Sequence, residues 1–182
     1  MEAVALILIA GALFCHSWYI LGLYPDGRTV GIYIGALALA SLITITFAPL
    51  ILTNAGADGL AQTTLMKVLI IVWSGYGIGV AAQAIWDYDE RAIGFYAAIP
   101  AVVSAVALIF FAGELYDDYG NAVTITMSAA SLILALISGV TFFYHAIPFV
   151  VLRLVSGWFT LVGSVGLMIL GLGIVTTVVQ SN

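Results

Sequence analysis

The sequence predicts an all-α integral membrane protein with six transmembrane helices, and three observations carry that expectation. Only four Lys and Arg and nine Asp and Glu occur in 182 residues, so 7% of the chain is charged, against about 25% in a soluble domain. Hydrophobic residues make up 64% and the mean hydropathy is strongly positive. A soluble chain this short leaves too much surface exposed to hide that much apolar side chain. Finally, the charges divide the chain into six uncharged runs, Ala3–Pro25, Thr29–Ala57, Val68–Trp86, Ala92–Gly113, Tyr119–Leu152 and Leu154–Asn182, of 23, 29, 19, 22, 34 and 29 residues. A bilayer core about 30 Å thick needs roughly 20 helical residues. A β-barrel would need short strands alternating apolar and polar residues, and these runs are apolar on all sides.

Turn chemistry sets the ends of each span. Tyr24-Pro25-Asp26-Gly27 closes the first helix, Asn54-Ala55-Gly56-Ala57-Asp58-Gly59 the second, and Asp117-Asp118-Tyr119-Gly120-Asn121 separates the fourth from the fifth. The expected helices are 2–23, 29–53, 60–86, 91–113, 121–145 and 148–179. The last exceeds what the bilayer requires, so it tilts or emerges. Glu2 and no basic residue precedes the first run, so the basic front end of a cleavable signal is missing and the first helix is expected to be retained. One membrane domain over residues 1–182 is expected.

Arg28, Arg91 and Arg153 fall between helices 1 and 2, 3 and 4, and 5 and 6. The positive-inside rule places that side in the cytoplasm and both termini outside. The three turns, near residues 26, 90 and 150, suggest three antiparallel hairpins. Gly31 and Gly35, Gly75 and Gly79, and Gly163, Gly166, Gly171 and Gly173 supply small residues for close helix contacts.

The missing chemistry narrows the function. No carboxylate lies at membrane depth, which disfavours proton or ion coupling. The final helix has no lysine for a Schiff base. No H-E-x-x-H, Cys pair, P-loop or G-x-S-x-G is present, so neither a catalytic constellation nor a cofactor or metal site is expected. Four basic residues exclude a nucleic-acid surface. Lys67, a short way into the third helix, can snorkel to the outer interface.

What remains is neutral and aromatic. His16 and Gln83 lie inside spans and must find a partner or water; His145 is placed at an interface. Thr124, Thr126, Ser128 and Ser131 can satisfy themselves on their own helix carbonyls. Trp73, Tyr76, Phe142, Phe143 and Trp158 lie away from the expected interfacial belts. Together with His16 and Gln83 they are the pore-lining candidates, suited to a small, flat, uncharged polar solute that stacks on rings and meets sparse hydrogen-bonding groups.

Several segments resemble the small-amide and urea channel family of the AmiS and UreI type. Gly22-Leu23-Tyr24-Pro25-Asp26, with Gly35-Ala36-Leu37 beyond it, resembles that family's first turn and second helix. Asp89-Glu90-Arg91-Ala92-Ile93-Gly94-Phe95-Tyr96 is similar to the turn before its fourth helix, and Arg153-Leu154-Val155-Ser156-Gly157-Trp158-Phe159-Thr160-Leu161-Val162 to the start of its sixth. The resemblance implies a twisted six-helix bundle with its own pore, assembled as a homohexamer in the cytoplasmic (inner) cell membrane and passing urea or a short aliphatic amide.

The chain departs from that pattern at several positions. Gly163 and Ser164 stand where the family has Glu or Gln followed by Gly, and His16 falls at a family Asn. The aromatic run of the third helix is reduced to Tyr76 among Gly75, Gly77 and Gly79, and Phe142 and Phe143 replace tryptophans. Outer-loop histidines are absent, so a constitutive pore rather than an acid-gated one is expected. The competing expectation is a structural or accessory subunit of a membrane complex with no conduction path.

Overall fold

The computed structural model describes residues 2–23, 26–47, 57–117, 122–146 and 149–180. They form six helices, α1 (Glu2–Leu21), α2 (Gly27–Phe47), α3 (Ala57–Trp86), α4 (Glu90–Asp117), α5 (Ala122–Ala146) and α6 (Val150–Gln180). Each is long and apolar enough to cross a bilayer, and the chain is a multi-pass membrane protein. The α1–α2, α3–α4 and α5–α6 connections share one end of the bundle, which carries Arg28, Arg91 and Arg153 and is called the arginine end below.

The helix boundaries differ from expectation where local capping decides them. α1 stops at Leu21 because Gly22 turns left-handed at φ 69°, which lets Gly22 N–H donate to Tyr19 O and Leu23 N–H to Trp18 O, both at 3.1 Å. α2 starts at Gly27, two residues early, because the Asp26 carboxylate accepts Arg28 N–H at 3.1 Å and the Thr29 hydroxyl. The Thr29 bond holds the Asp26 carboxyl below the usual carboxylate range. The same device recurs at α4, where Asp89 Oδ1 accepts Arg91 N–H at 2.9 Å, just after Asp87 ends α3 at φ 57°. The α5–α6 turn carries no Asp between Ala146 and Val150 to make this cap, so the three turns are not copies of one unit. α3 begins three residues earlier than expected, and α4 runs on through Glu114 to Asp117. The expected stretch 48–53 of the second helix and residues 147–148 lie outside the described residues.

The packing is less symmetric than three equivalent hairpins. The hairpin partners do touch, but the more extensive contacts are α4 with α5, α1 with α6 and α2 with α3. Because α1 also touches α3, the helices α1, α3, α4, α5 and α6 close a ring, and α2 lies outside it against α1 and α3.

Inward stripes follow a spacing of three and four residues, the signature of one helix face. On α1 they are Leu6, Ile9, Leu13, His16 and Ile20; on α3, Met66, Leu69, Trp73, Tyr76, Val80 and Gln83. Glycines set the approach distances. A Cβ at Gly31 would sit 3.0 Å from Ala84 Cβ on α3, and one at Gly94 would collide with His145 Cβ on α5, so both contacts require the missing side chain.

Candidate functional site

The interior of the ring divides by depth. In the half away from the arginine end it is filled with Leu6, Ile9, Met66, Leu69, Phe111, Met127, Leu134 and Leu167. Toward the arginine end, ring and hydrogen-bonding side chains replace them. The α3 stripe brings Trp73 and Tyr76 together edge to face, with centroids 5.5 Å apart. His16 comes from α1 and presents its ring to Tyr76 at 5.9 Å. The Trp73 indole N–H donates to Ser104 Oγ on α4 at 2.9 Å, and Tyr96 of α4 stacks on Tyr76 at 6.4 Å, with planes 5° apart. Pro100, one turn beyond Tyr96, has no N–H for the Tyr96 carbonyl, so a backbone acceptor is freed at this level.

A second polar layer lies at the arginine end. Five helices converge there through His16, Tyr19, Gln83, Glu90, Tyr144, His145 and Arg153 around a void of about 10 Å³. Its hydrogen bonds cross between helices. Gln83 Nε2 donates to Tyr19 Oη at 3.5 Å, Tyr144 Oη to Glu90 Oε2 at 3.5 Å, and Arg153 Nε to the Ile20 carbonyl at 2.7 Å. The Arg153 bond satisfies an orphan carbonyl at the end of α1 and sets a cation at that helix's negative pole.

A further void of about 10 Å³ lies among Ile9, Leu13, His16, Ile34, Trp73 and Tyr76. Each void is large enough for about one water molecule; the first lies inside the ring and the second between α1, α2 and α3. Among the described residues no group of three or more His, Cys, Asp or Glu side chains is placed to hold a metal ion.

The structure brings His16, Trp73, Tyr76 and Gln83 into this interior and separates two other candidates from it. Phe143 and Trp158 are 55% and 53% exposed, on the outside of the bundle. Trp158 lines an apolar groove of about 370 Å³ with Ile133, Leu136, Phe159 and Val162. Phe142 is intermediate, half-buried against the core with its ring edge on Phe143 at 5.5 Å. Lys67 is half-buried on α3. Ser131 is buried with its hydroxyl unpartnered, unlike Ser138, which donates to Leu134 O at 2.8 Å.

Sequence reasoning missed Tyr96 and Ser104 as site residues. The α4 stripe Ala97, Pro100, Ser104, Ala107 and Phe111 keeps the spacing of three and four that marks an inward face. It singles out Ser104 once α4 is known to belong to the ring. Compared with known proteins, the chain matches no protein-family model, no curated protein and no solved structure.

Proposed function

We propose that the chain is a passive channel for small, uncharged polar solutes, urea or short aliphatic amides, with the arginine end in the cytoplasm. One observation carries the reading: the two most buried helices, α1 and α3, turn His16, Trp73, Tyr76 and Gln83 onto facing stripes. Neutral hydrogen-bonding groups and ring faces therefore line the interior where a coupled transporter would hold charge. The turn segments that resemble the small-amide channel family support the same reading, as do the three arginines at one end. A homohexamer would then carry one path per protomer.

Passage requires openings larger than these two voids. The Leu13, Trp73 and Tyr76 side chains must move to join voids that each hold about one water, and the aliphatic half would act as a dewetting constriction. Stopped-flow light scattering on proteoliposomes, with urea, acetamide, glycerol and ammonium as solutes, tests the reading. Urea or acetamide permeability well above that of empty vesicles is expected, and equality with them removes the channel.

The small size of both voids favours a second reading, a structural subunit that docks partners through its apolar outer faces, such as the α5–α6 groove around Trp158. A stoichiometric partner copurifying with a chain that carries no solute flux would select it.

A further inference from the structure

Three buried hydroxyls on three helices of the ring lack hydrogen-bond partners. Tyr76 on α3, Thr141 on α5 and Thr160 on α6 are 2%, 1% and 0% exposed, and none of their oxygens has a partner. α3 and α5 are not neighbours in the ring, yet the Tyr76 hydroxyl lies near that of Thr141. The phenol therefore spans the interior.

Register places Thr160 near the level of Thr141. On α6, Gly157 approaches Leu21 and Ile20 of α1, while Gly163 approaches Ile137 and Ile133 of α5. At about 3.6 residues per turn, Thr160 points between those two faces, toward the ring interior. With Gly163 beside Ile137 and Ile133 and the two helices antiparallel, Thr160 lies within about one helical turn of the depth of Thr141.

An unpartnered hydroxyl at membrane depth is unfavourable. A threonine can turn to its own helix carbonyls, but a tyrosine hydroxyl at the end of a rigid ring cannot. We infer that the Tyr76, Thr141 and Thr160 hydroxyls form a recognition site for a small neutral carboxamide or urea, whose N–H groups they accept and whose carbonyl they donate to. The Tyr76–Tyr96 stack and the His16 ring bound the site with flat faces, which matches a planar solute. The site lies one helical turn from Gly163 and Ser164, so α6 offers a neutral hydroxyl where the resembling family has a longer polar side chain.

This inference rests on the channel reading, and its test separates the two. Full-length protein in proteoliposomes is compared as wild type, Thr141→Val, Thr160→Val and Thr141→Ser, reading urea permeability against water permeability in the same vesicles. Each valine removes one hydroxyl at nearly constant volume. Since it removes an unpartnered polar group, the fold is kept, and thermal unfolding in detergent checks this. Each valine variant is expected to lower the urea-to-water ratio about fivefold, the scale of one net hydrogen bond, and the serine variant to stay within about twofold of wild type. A conducting wild type whose valine variants keep its ratio overturns the site and leaves the channel standing. A wild type no more permeable than bare lipid removes both.

Discussion

The Trp73 indole donates its N–H to Ser104 Oγ at 2.9 Å, joining α3 to α4 where both side chains are buried. This bond fixes which way the largest ring of the interior points. Without it, the indole nitrogen has no water to turn to. Ser104→Ala is expected to destabilise the fold by about 1–3 kcal/mol, the penalty of a buried donor left unmade. Trp73→Phe removes the donor itself, so any loss beyond that of Ser104→Ala reports ring volume. Equilibrium unfolding in mixed micelles measures both, and a Ser104→Ala variant as stable as wild type would contradict the assignment.

Gly94→Ala should destabilise far more than its size suggests. The added methyl would collide with His145 Cβ, forcing α4 from α5 where they meet, at about 1–3 kcal/mol or more for overpacking. Gly113→Ala is the control: nothing lies within 4 Å of its Cβ position. There, alanine should be neutral or gain up to about 1 kcal/mol in helix propensity. Equal effects at the two sites would refute the close α4–α5 approach.

Arg153→Ala should loosen the seam between α1 and α6. Its guanidinium holds the Ile20 carbonyl at 2.7 Å, but it is exposed, so screening limits the loss to about 1 kcal/mol. The clearer readout is hydrogen exchange. Amides of residues 20–23 are expected to exchange several times faster in the variant, and unchanged protection would argue that the bond bears no strain of closure.

Two tryptophans of one type should report opposite environments. In single-tryptophan variants, brominated lipid should quench Trp158, which is 53% exposed, and spare Trp73, which is 1% exposed. If the protein conducts, Trp158→Ala and Phe143→Ala should keep urea flux within about twofold of wild type, whereas Tyr76→Phe should lower it about fivefold. The reverse ranking would move the path to the outer groove.

At acid pH, the Asp26 cap is expected to weaken. Its carboxyl is held below the usual range by the Thr29 hydroxyl bond, so its contribution is present above the ordinary Asp pKa and fades as pH falls through the lowered folded value. Protection of the Arg28 and Thr29 amides, relative to intrinsic exchange at each pH, should fall at low pH in wild type and stay constant in Asp26→Asn. An identical pH response in both would detach the effect from this carboxylate.

The amino-acid sequence alone determined the solvent, the number of spans and most of their ends. Lipid tolerates few charges, and each crossing needs about 20 apolar residues, so thirteen well-spaced charges mark the boundaries. Caps at Gly22 and Asp26 then shifted ends by two residues, as local bonding does. His16 and Gln83 were legible as interior groups because a polar side chain in a span has nowhere else to go. The aromatic residues were not, because lipid and protein interior are both apolar and hydrophobicity cannot tell a helix's inner face from its outer one. Trp73 and Trp158 read alike in the chain. Only the packing, with α1 and α3 the most buried spans, α2 outside the ring and the glycine contacts setting each helix's rotation, turned one inward and the other to the membrane.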